Sequence, residues 1–146
     1  MTRLIDGLYI GSQPPLGDIL ARQGFDVLVL CAEEYQPRST NFPDLTAVIH
    51  APLDDARPTV EEIDTALKAA MNIADFHHHG KNILVTCIMG RNRSGLISAL
   101  ALHLITGRSA ISCGRYVSDT RIDPIGEHAL NNQHFLALLR TLSVAI

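Results

Sequence analysis

The strongest constraint on this chain is the segment at residues 85–95, which joins an apolar run at residues 82–85 to a helical run at residues 96–100. Cys87 follows the apolar run, a turn comes next, and Arg93 stands where the helical run starts. The first N–H groups of a helix lack intrahelical partners and carry roughly half a positive charge. The segment therefore predicts a strand, a tight loop and a helix that together form a cup for a tetrahedral oxyanion or a thiolate.

The spacing within this segment indicates how the cup would work. Five residues separate Cys87 from Arg93, so successive N–H groups can face phosphate oxygens while the guanidinium donates two parallel charge-assisted hydrogen bonds. Gly90 supplies the backbone freedom that such a turn requires. The predicted phosphate-binding residues are Ile88, Met89, Gly90, Arg91, Asn92 and Arg93.

The same N–H groups would hold Cys87 as a thiolate, which makes it the candidate nucleophile. Ser94 can donate a hydroxyl hydrogen bond toward the sulfur and improve it as a leaving group. The alternative is a buried strand cysteine beside unrelated residues. Under that alternative, the order of Cys87, Gly90, Arg93 and Ser94 before a predicted helix would be a coincidence.

The composition disfavours several classes of protein. The chain has 146 residues, 47% of them hydrophobic, which fits one domain spanning residues 1–146. The net charge of −3 and the lack of Trp make nucleic-acid binding an unfavourable interpretation. No apolar run has the roughly 18–20 residues of a membrane span, and the amino terminus has no signal-peptide core. We therefore expect a cytoplasmic protein.

The cysteine pattern points to the same kind of compartment. Cys31, Cys87 and Cys113 form no Cys-x-x-Cys pair, and their number is odd. A disulfide framework is therefore disfavoured, and a reducing compartment with one functional thiol fits better.

Hydrophobic periodicity predicts alternating strands and helices. Strands are predicted over residues 8–10, 26–31, 47–50 and 83–86, and helices over residues 16–23, 60–77, 95–105, 109–118 and 132–142. Thr59 and Glu62 form a capping box at the start of the second helix. Its predicted buried face consists of Ile63, Leu67, Ala70, Met71 and Ala74. The pattern favours a single α/β domain with a mostly parallel central sheet of about four to five strands flanked by helices.

The loop from Cys87 to Ser94 resembles the Cys-x5-Arg-Ser/Thr signature of the protein tyrosine phosphatase superfamily. The rest of the chain is similar to its small dual-specificity branch, at residues 8–12, 28–33 and 130–136. Low-molecular-weight phosphatases and arsenate reductases carry the loop near the amino terminus, whereas three predicted strands precede it here. The resemblance implies a protein tyrosine phosphatase-like fold and hydrolysis of phosphomonoesters through a phosphocysteine, with no cofactor and no metal.

The resemblance also implies an aspartic acid that protonates the leaving group and then activates water. Asp55 lies 32 positions before Cys87, the offset of the family's acid. Asp54 is the alternative, and either residue can instead be a turn residue before the helix.

Two positions depart from the family's pattern. Thr86 stands where most relatives have a histidine that braces the cysteine, so its hydroxyl takes that role or it is simply a β-branched strand residue. Arg91 stands where many protein-directed relatives have an apolar or aromatic residue. It would favour a multiply anionic substrate, or it is a solvated arginine paired with a nearby carboxylate.

Cys31 ends the second predicted strand and has two possible roles. In some related phosphatases a cysteine placed there forms a reversible disulfide with the nucleophile; ordinary core packing is the alternative.

Residues 77–79 are three histidines, but consecutive helical residues point in different directions. A cationic helix end is therefore favoured over a metal site.

The leading prediction is a dual-specificity protein phosphatase, acting on phosphotyrosine and on phosphoserine or phosphothreonine. One alternative is a phosphatase of a polyanionic non-protein substrate, such as a phosphoinositide or an RNA 5′-phosphate. Another is a phosphate-binding pseudophosphatase, and a third is an arsenate or sulfur-transfer enzyme. The expected partner is a phosphorylated protein or another phosphomonoester, and the sequence makes no prediction about oligomeric state.

Overall fold

The protein folds around a five-stranded sheet in the order β1-β2-β5-β3-β4, as seen in a computed structural model that describes residues 1–144. The strands are β1 (Thr2–Ile5), β2 (Leu8–Gly11), β3 (Val27–Ala32), β4 (Ala47–Leu53) and β5 (Ile83–Thr86). β1 runs antiparallel to β2, and every other neighbouring pair is parallel. The predicted α/β class and mostly parallel sheet are confirmed. Residues 145 and 146, at the end of the predicted domain, lie outside the described residues.

The central strands are apolar on both faces because the sheet is covered on both sides. In β3, Val27, Val29 and Cys31 face the larger core cluster, while Leu28 and Leu30 face a smaller one. Every residue of β3 is buried. The continuous apolar run thus has the burial expected of an inner parallel strand.

Within residues 1–144, five α-helices accompany the sheet, namely α1 (Ile19–Arg22), α2 (Val60–His78), α3 (Arg93–Thr106), α4 (Ala110–Thr120) and α5 (Gln133–Val144). The capping box of α2 is confirmed, since Thr59 Oγ1 accepts from the Glu62 N–H at 3.1 Å and the Glu62 carboxylate accepts from the Thr59 N–H at 3.1 Å. The predicted buried face of α2 is wrong by one position along the helix, since of its five residues only Ala70 is buried, Ile63, Leu67 and Ala74 are half-buried and Met71 is 62% exposed. Its buried residues are Ala66, Ala69, Ala70 and Ile73.

Several predicted boundaries are wrong. The helix expected at residues 16–23 contains only Ile19–Arg22, because Gly17 takes a left-handed φ of 96° and interrupts it. The third predicted strand continues to Leu53. β1 was not predicted, since so short an edge strand has little periodic signal, and a Gly7 turn with φ of 81° returns it to β2.

The periodicity predicts that the helix after the cysteine starts at Gly95, but the helix starts at Arg93. This earlier start has a consequence for the site. It places the Arg93 side chain on the first turn, where the free N–H groups of the helix also lie. Because β2, β3, β4 and β5 are parallel, their carboxyl ends meet at the same edge of the sheet, next to this turn.

Candidate active site

Cys87 lies at the floor of a loop between β5 and α3. Its side chain is largely buried, with the residue 5% exposed, and its Sγ lies 3.2 Å from Ser94 Oγ. Ser94 is fully buried on the first turn of α3. The structure therefore brings the predicted nucleophile and the predicted hydroxyl donor into direct contact.

The backbone of the loop is held from outside. The carbonyls of residues 88–92 each accept a hydrogen bond from a group outside the loop or from α3. The donors are Gln13 N–H to Ile88, Arg121 to Met89 and Gly90, Leu130 N–H to Arg91, and Leu96 N–H to Asn92. Among residues 1–144, no group accepts from the N–H groups of residues 88–93. These N–H groups are therefore available to an oxyanion above Cys87.

Arg121 is the main support beneath this loop. Its guanidinium donates to the carbonyl of Gly90 through Nε at 3.1 Å and to the carbonyl of Met89 through Nη2 at 3.1 Å. It also contacts Ser12 Oγ and Thr2 Oγ1, so it links the loop to β1 and the end of β2. Burial lowers the pKa of Arg121, while nearby negative groups oppose that effect.

Gly90 is required by both space and backbone geometry. Its φ is 66°, and a Cβ there would lie 2.5 Å from the backbone C and O of Gly11. Those atoms belong to β2 and cannot move aside as a flexible side chain could. The glycine therefore allows the loop to pack against the sheet in the conformation that turns its N–H groups inward.

Arg93 is oriented by a carboxylate that the sequence analysis did not identify. Its Nη1 lies 2.7 Å from Glu34 Oε2 and 2.5 Å from Oε1, and it also donates to the Leu53 carbonyl at 3.4 Å. Both contacts use Nη1. Within the part of the chain that the structure describes, the Nε and Nη2 donors on the opposite edge of the guanidinium thus remain for bidentate recognition of a phosphoryl group.

Asp55 is joined to the loop by two asparagines. Asn92 Nδ2 donates to Asp55 Oδ2 at 3.1 Å, and Asn132 Nδ2 donates to Asp55 Oδ1 at 2.8 Å. Asn92 Oδ1 also accepts from the N–H groups of Asn131 and Asn132. Asp54 differs, since its N–H donates to Glu62 while its side chain has no hydrogen bond among residues 1–144. Of the two candidate acids, Asp55 is the one held next to the cysteine loop.

The Arg91 side chain points toward a buried carboxylate. Its Nη1 lies 3.4 Å from Asp123 Oδ2, with the arginine side chain 26% exposed and the aspartate side chain fully buried. Its backbone N–H lies in the cup with those of its neighbours. The geometry is that of the paired-arginine alternative in the sequence analysis.

Thr86 and Cys31 occupy positions of the sheet itself. The Thr86 hydroxyl donates to the Val29 carbonyl at 2.8 Å, so it is engaged with β3 and not with Cys87. Leu30 and Thr86 are register partners, and Cys31 and Cys87 are the residues that follow them. Burial raises the pKa of the Cys31 thiol well above its usual value of 9.0, and the nearby Cys87 raises it further.

Three residues that organise the site were not predicted from the sequence, namely Glu34, Arg121 and Asp123. Glu34 has a usable signal, because it lies two positions after a buried strand, at the edge of the sheet where ligands bind. Arg121 and Asp123 lie far along the chain from the loop, beyond α4. No local pattern connects them to Cys87.

Two of the three histidines at residues 77–79 contact backbone carbonyls. The ring of His77 contacts the Asp6 carbonyl at 2.8 Å, and that of His79 contacts the Asp75 carbonyl at 2.8 Å. Within residues 1–144 no three side chains of His, Cys, Asp or Glu are grouped so as to hold a metal ion. In the same part of the chain, no helix combines the length and apolar character that crossing a membrane demands.

Solved structures share this architecture over nearly the whole chain. Human DUSP28 is 23% identical, with 99% of this chain and 96% of that chain covered and a TM-score of 0.79. A mouse putative dual specificity phosphatase, complexed with zinc tungstate, is 23% identical over 97% of this chain and 85% of its own, with a TM-score of 0.76. The chain has the fold of the dual-specificity phosphatases.

This phosphatase fold also includes PTPMT1, whose complex with PI(5)P is 14% identical, with 97% of this chain and 92% of that chain covered and a TM-score of 0.71. No protein-family model and no curated protein match the sequence. The solved structures confirm the predicted resemblance to the dual-specificity branch at the level of the fold.

Proposed function

We propose that this protein hydrolyses phosphomonoesters through a phosphocysteine intermediate. The observation that carries the proposal is the loop around Cys87, in which the outward-facing carbonyls are all bonded and the N–H groups of residues 88–93 have no acceptor within the described residues, 1–144. Such a cup stabilises charge on the three non-bridging oxygens as phosphorus is attacked. Arg93 adds a guanidinium edge to the same oxygens.

In the first step, the Cys87 thiolate attacks phosphorus and the bond to the ester oxygen breaks. Asp55 protonates that oxygen as it leaves, because an unprotonated alkoxide or phenolate is a poor leaving group. The product is a phosphocysteine with its phosphoryl oxygens in the cup. Asn92 and Asn132 act as positioning residues that hold Asp55 beside the loop.

In the second step, Asp55 accepts a proton from water, and the water oxygen attacks phosphorus. The phosphorus–sulfur bond breaks and Cys87 leaves as a thiolate. Ser94 Oγ, 3.2 Å from the sulfur, donates a hydrogen bond that stabilises the departing thiolate. Arg121 contributes from beneath the loop through its positive charge.

We further infer that the substrates are phosphorylated protein side chains of more than one kind, as in a dual-specificity protein phosphatase. The cup contacts the phosphoryl group through backbone N–H groups and one guanidinium, and these contacts do not depend on the rest of the substrate. An aryl and an alkyl ester present the same three oxygens. The fold shared with human DUSP28 supports this substrate class.

The experiment that tests the proposal compares wild type with Cys87→Ser. Wild type should hydrolyse p-nitrophenyl phosphate, and Cys87→Ser should lose turnover while still binding tungstate in calorimetry. The serine hydroxyl is a far weaker nucleophile at neutral pH but leaves the loop N–H groups in place.

Cys113→Ser is the matched control, because Cys113 is also buried but lies on α4, away from the loop. It should keep its activity. A wild-type protein that binds tungstate yet shows no turnover from pH 5 to 8 would favour the pseudophosphatase alternative. Thiol-dependent arsenate reduction without phosphatase activity would favour the arsenate alternative.

A further inference from the structure

The loop of the candidate active site carries a second cation whose charge is already compensated. The Arg91 side chain turns toward Asp123, with Nη1 3.4 Å from Oδ2. Among residues 1–144, neither Arg91 Nε nor Asp123 Oδ2 has a hydrogen-bond partner, although both atoms are buried. Arg91 therefore depends on Asp123 for compensation of its charge, while Asp123 is compensated by Arg91 together with Arg121.

The surroundings of Asp123 stabilise its ionised form. Its Oδ1 accepts from the N–H groups of Ile125 at 3.0 Å and Glu127 at 2.9 Å, which fixes Oδ2 in the direction of Arg91. Burial alone would raise the pKa of Asp123, but these two hydrogen bonds and the charges of Arg91 and Arg121 outweigh it and lower the pKa. Asp123 is thus ionised at neutral pH.

We propose that Asp123 is a specificity-determining residue that withholds the Arg91 guanidinium from the substrate. Without this pairing, the Arg91 guanidinium would be a second charged donor next to the cup. A multiply phosphorylated substrate would then bind more tightly, because its second phosphate could pair with Arg91. With the charge neutralised, a substrate gains nothing from a second phosphate. The inference rests on the proposed function and names its substrate class, esters that carry a single phosphate at the site.

The test is the ratio of kcat/KM for a water-soluble phosphatidylinositol bisphosphate to kcat/KM for p-nitrophenyl phosphate. Asp123→Asn should raise this ratio about tenfold, because Arg91 becomes free to bind a second phosphate. The asparagine retains the oxygen that accepts from Ile125 and Glu127, which preserves the turn. Arg91→Ala in the otherwise native chain should change the ratio by less than about twofold.

The double variant Asp123→Asn/Arg91→Ala should return to the wild-type ratio. Asp64→Asn is the matched control, because Asp64 pairs with Lys68 at 2.9 Å on the exposed side of α2 and its loss changes the net charge equally. A ratio that falls strongly in Arg91→Ala would overturn the inference, since Arg91 would then already serve the substrate. So would a folded Asp123→Asn protein with an unchanged ratio.

A binding measurement separates this inference from the proposed function. In a Cys87→Ser background, calorimetry gives the affinity for pyrophosphate relative to phosphate, and Asp123→Asn should raise that relative affinity about tenfold. If no variant hydrolyses p-nitrophenyl phosphate, the proposed function fails while this readout still decides the role of Asp123.

Discussion

At the scale of single residues, the choice between Asp54 and Asp55 is a question of contacts. The two carboxylates are adjacent in the chain, but only Asp55 accepts hydrogen bonds from Asn92 and Asn132. A general acid has to be held at a fixed distance from the scissile oxygen. The sequence gives only the number of residues between each aspartate and Cys87, whereas the asparagine contacts show which carboxylate is held beside the loop.

We therefore predict that Asp55→Asn lowers kcat for phenyl phosphate by about 100-fold, the range expected for loss of a general acid. The loss should be much smaller for p-nitrophenyl phosphate, whose leaving group departs without a proton. Asp54→Asn is the control and should stay within about twofold of wild type. Steady-state kinetics with both esters checks this, and the opposite order of effects would transfer the acid role to Asp54.

The buried thiol of Cys31 leads to a second residue-scale prediction. Peroxide oxidises the Cys87 thiolate to a sulfenic acid, which the Cys31 thiol can attack to form a disulfide with release of water. Mass spectrometry after mild peroxide treatment should detect a Cys31–Cys87 crosslink and activity that dithiothreitol restores. In Cys31→Ser, the same treatment should cause irreversible loss; equal recovery in both proteins would leave Cys31 with only its packing role.

At the scale of secondary structure elements, the start of α2 connects helix stability to the loop that carries Asp55. The Glu62 carboxylate accepts from the N–H of Thr59 at 3.1 Å and from the N–H of Asp54 at 2.7 Å. One side chain thus caps the helix and ties down the loop before it. Burial alone would raise the pKa of Glu62, but these hydrogen bonds outweigh it and lower the pKa.

The lowered pKa sets the pH dependence of this contribution. The stabilisation by ionised Glu62 is complete above its unfolded value of 4.5 and is lost as the pH falls through the lower folded value. Glu62→Gln should therefore reduce the free energy of unfolding at pH 7 by about 0.5 kcal/mol, a small effect because solvent screens the largely exposed carboxylate. The difference from wild type should shrink as the pH falls below 4.5. Urea unfolding at several pH values measures it; a difference that grows toward low pH would contradict the assignment.

At the scale of the whole molecule, the site is assembled from distant parts of one chain. Arg121 joins β1, the end of β2 and the cysteine loop, and Glu34 after β3 orients Arg93 on α3. Binding at the loop is therefore coupled to the entire sheet. We expect the described residues, 1–144, to unfold as one unit.

Urea unfolding followed by fluorescence of the tyrosines and by far-ultraviolet circular dichroism should give coincident transitions. Tungstate at 100 times its dissociation constant should raise the free energy of unfolding by about 2.7 kcal/mol, because it binds only the folded state. Arg93→Ala should lose most of this increase. Separate transitions by the two probes would indicate more than one folding unit.

The sequence alone determined the strand–loop–helix around Cys87, the capping box of α2 and the parallel α/β class. These features depend on hydrogen bonds and burial within short windows of chain, which local patterns encode. Only the tertiary structure decided that Glu34 orients Arg93, that Arg121 supports the loop and that Asp123 compensates Arg91. The partner of a buried charge depends on which distant residues the sheet order brings together, and no local spacing in the chain specifies that.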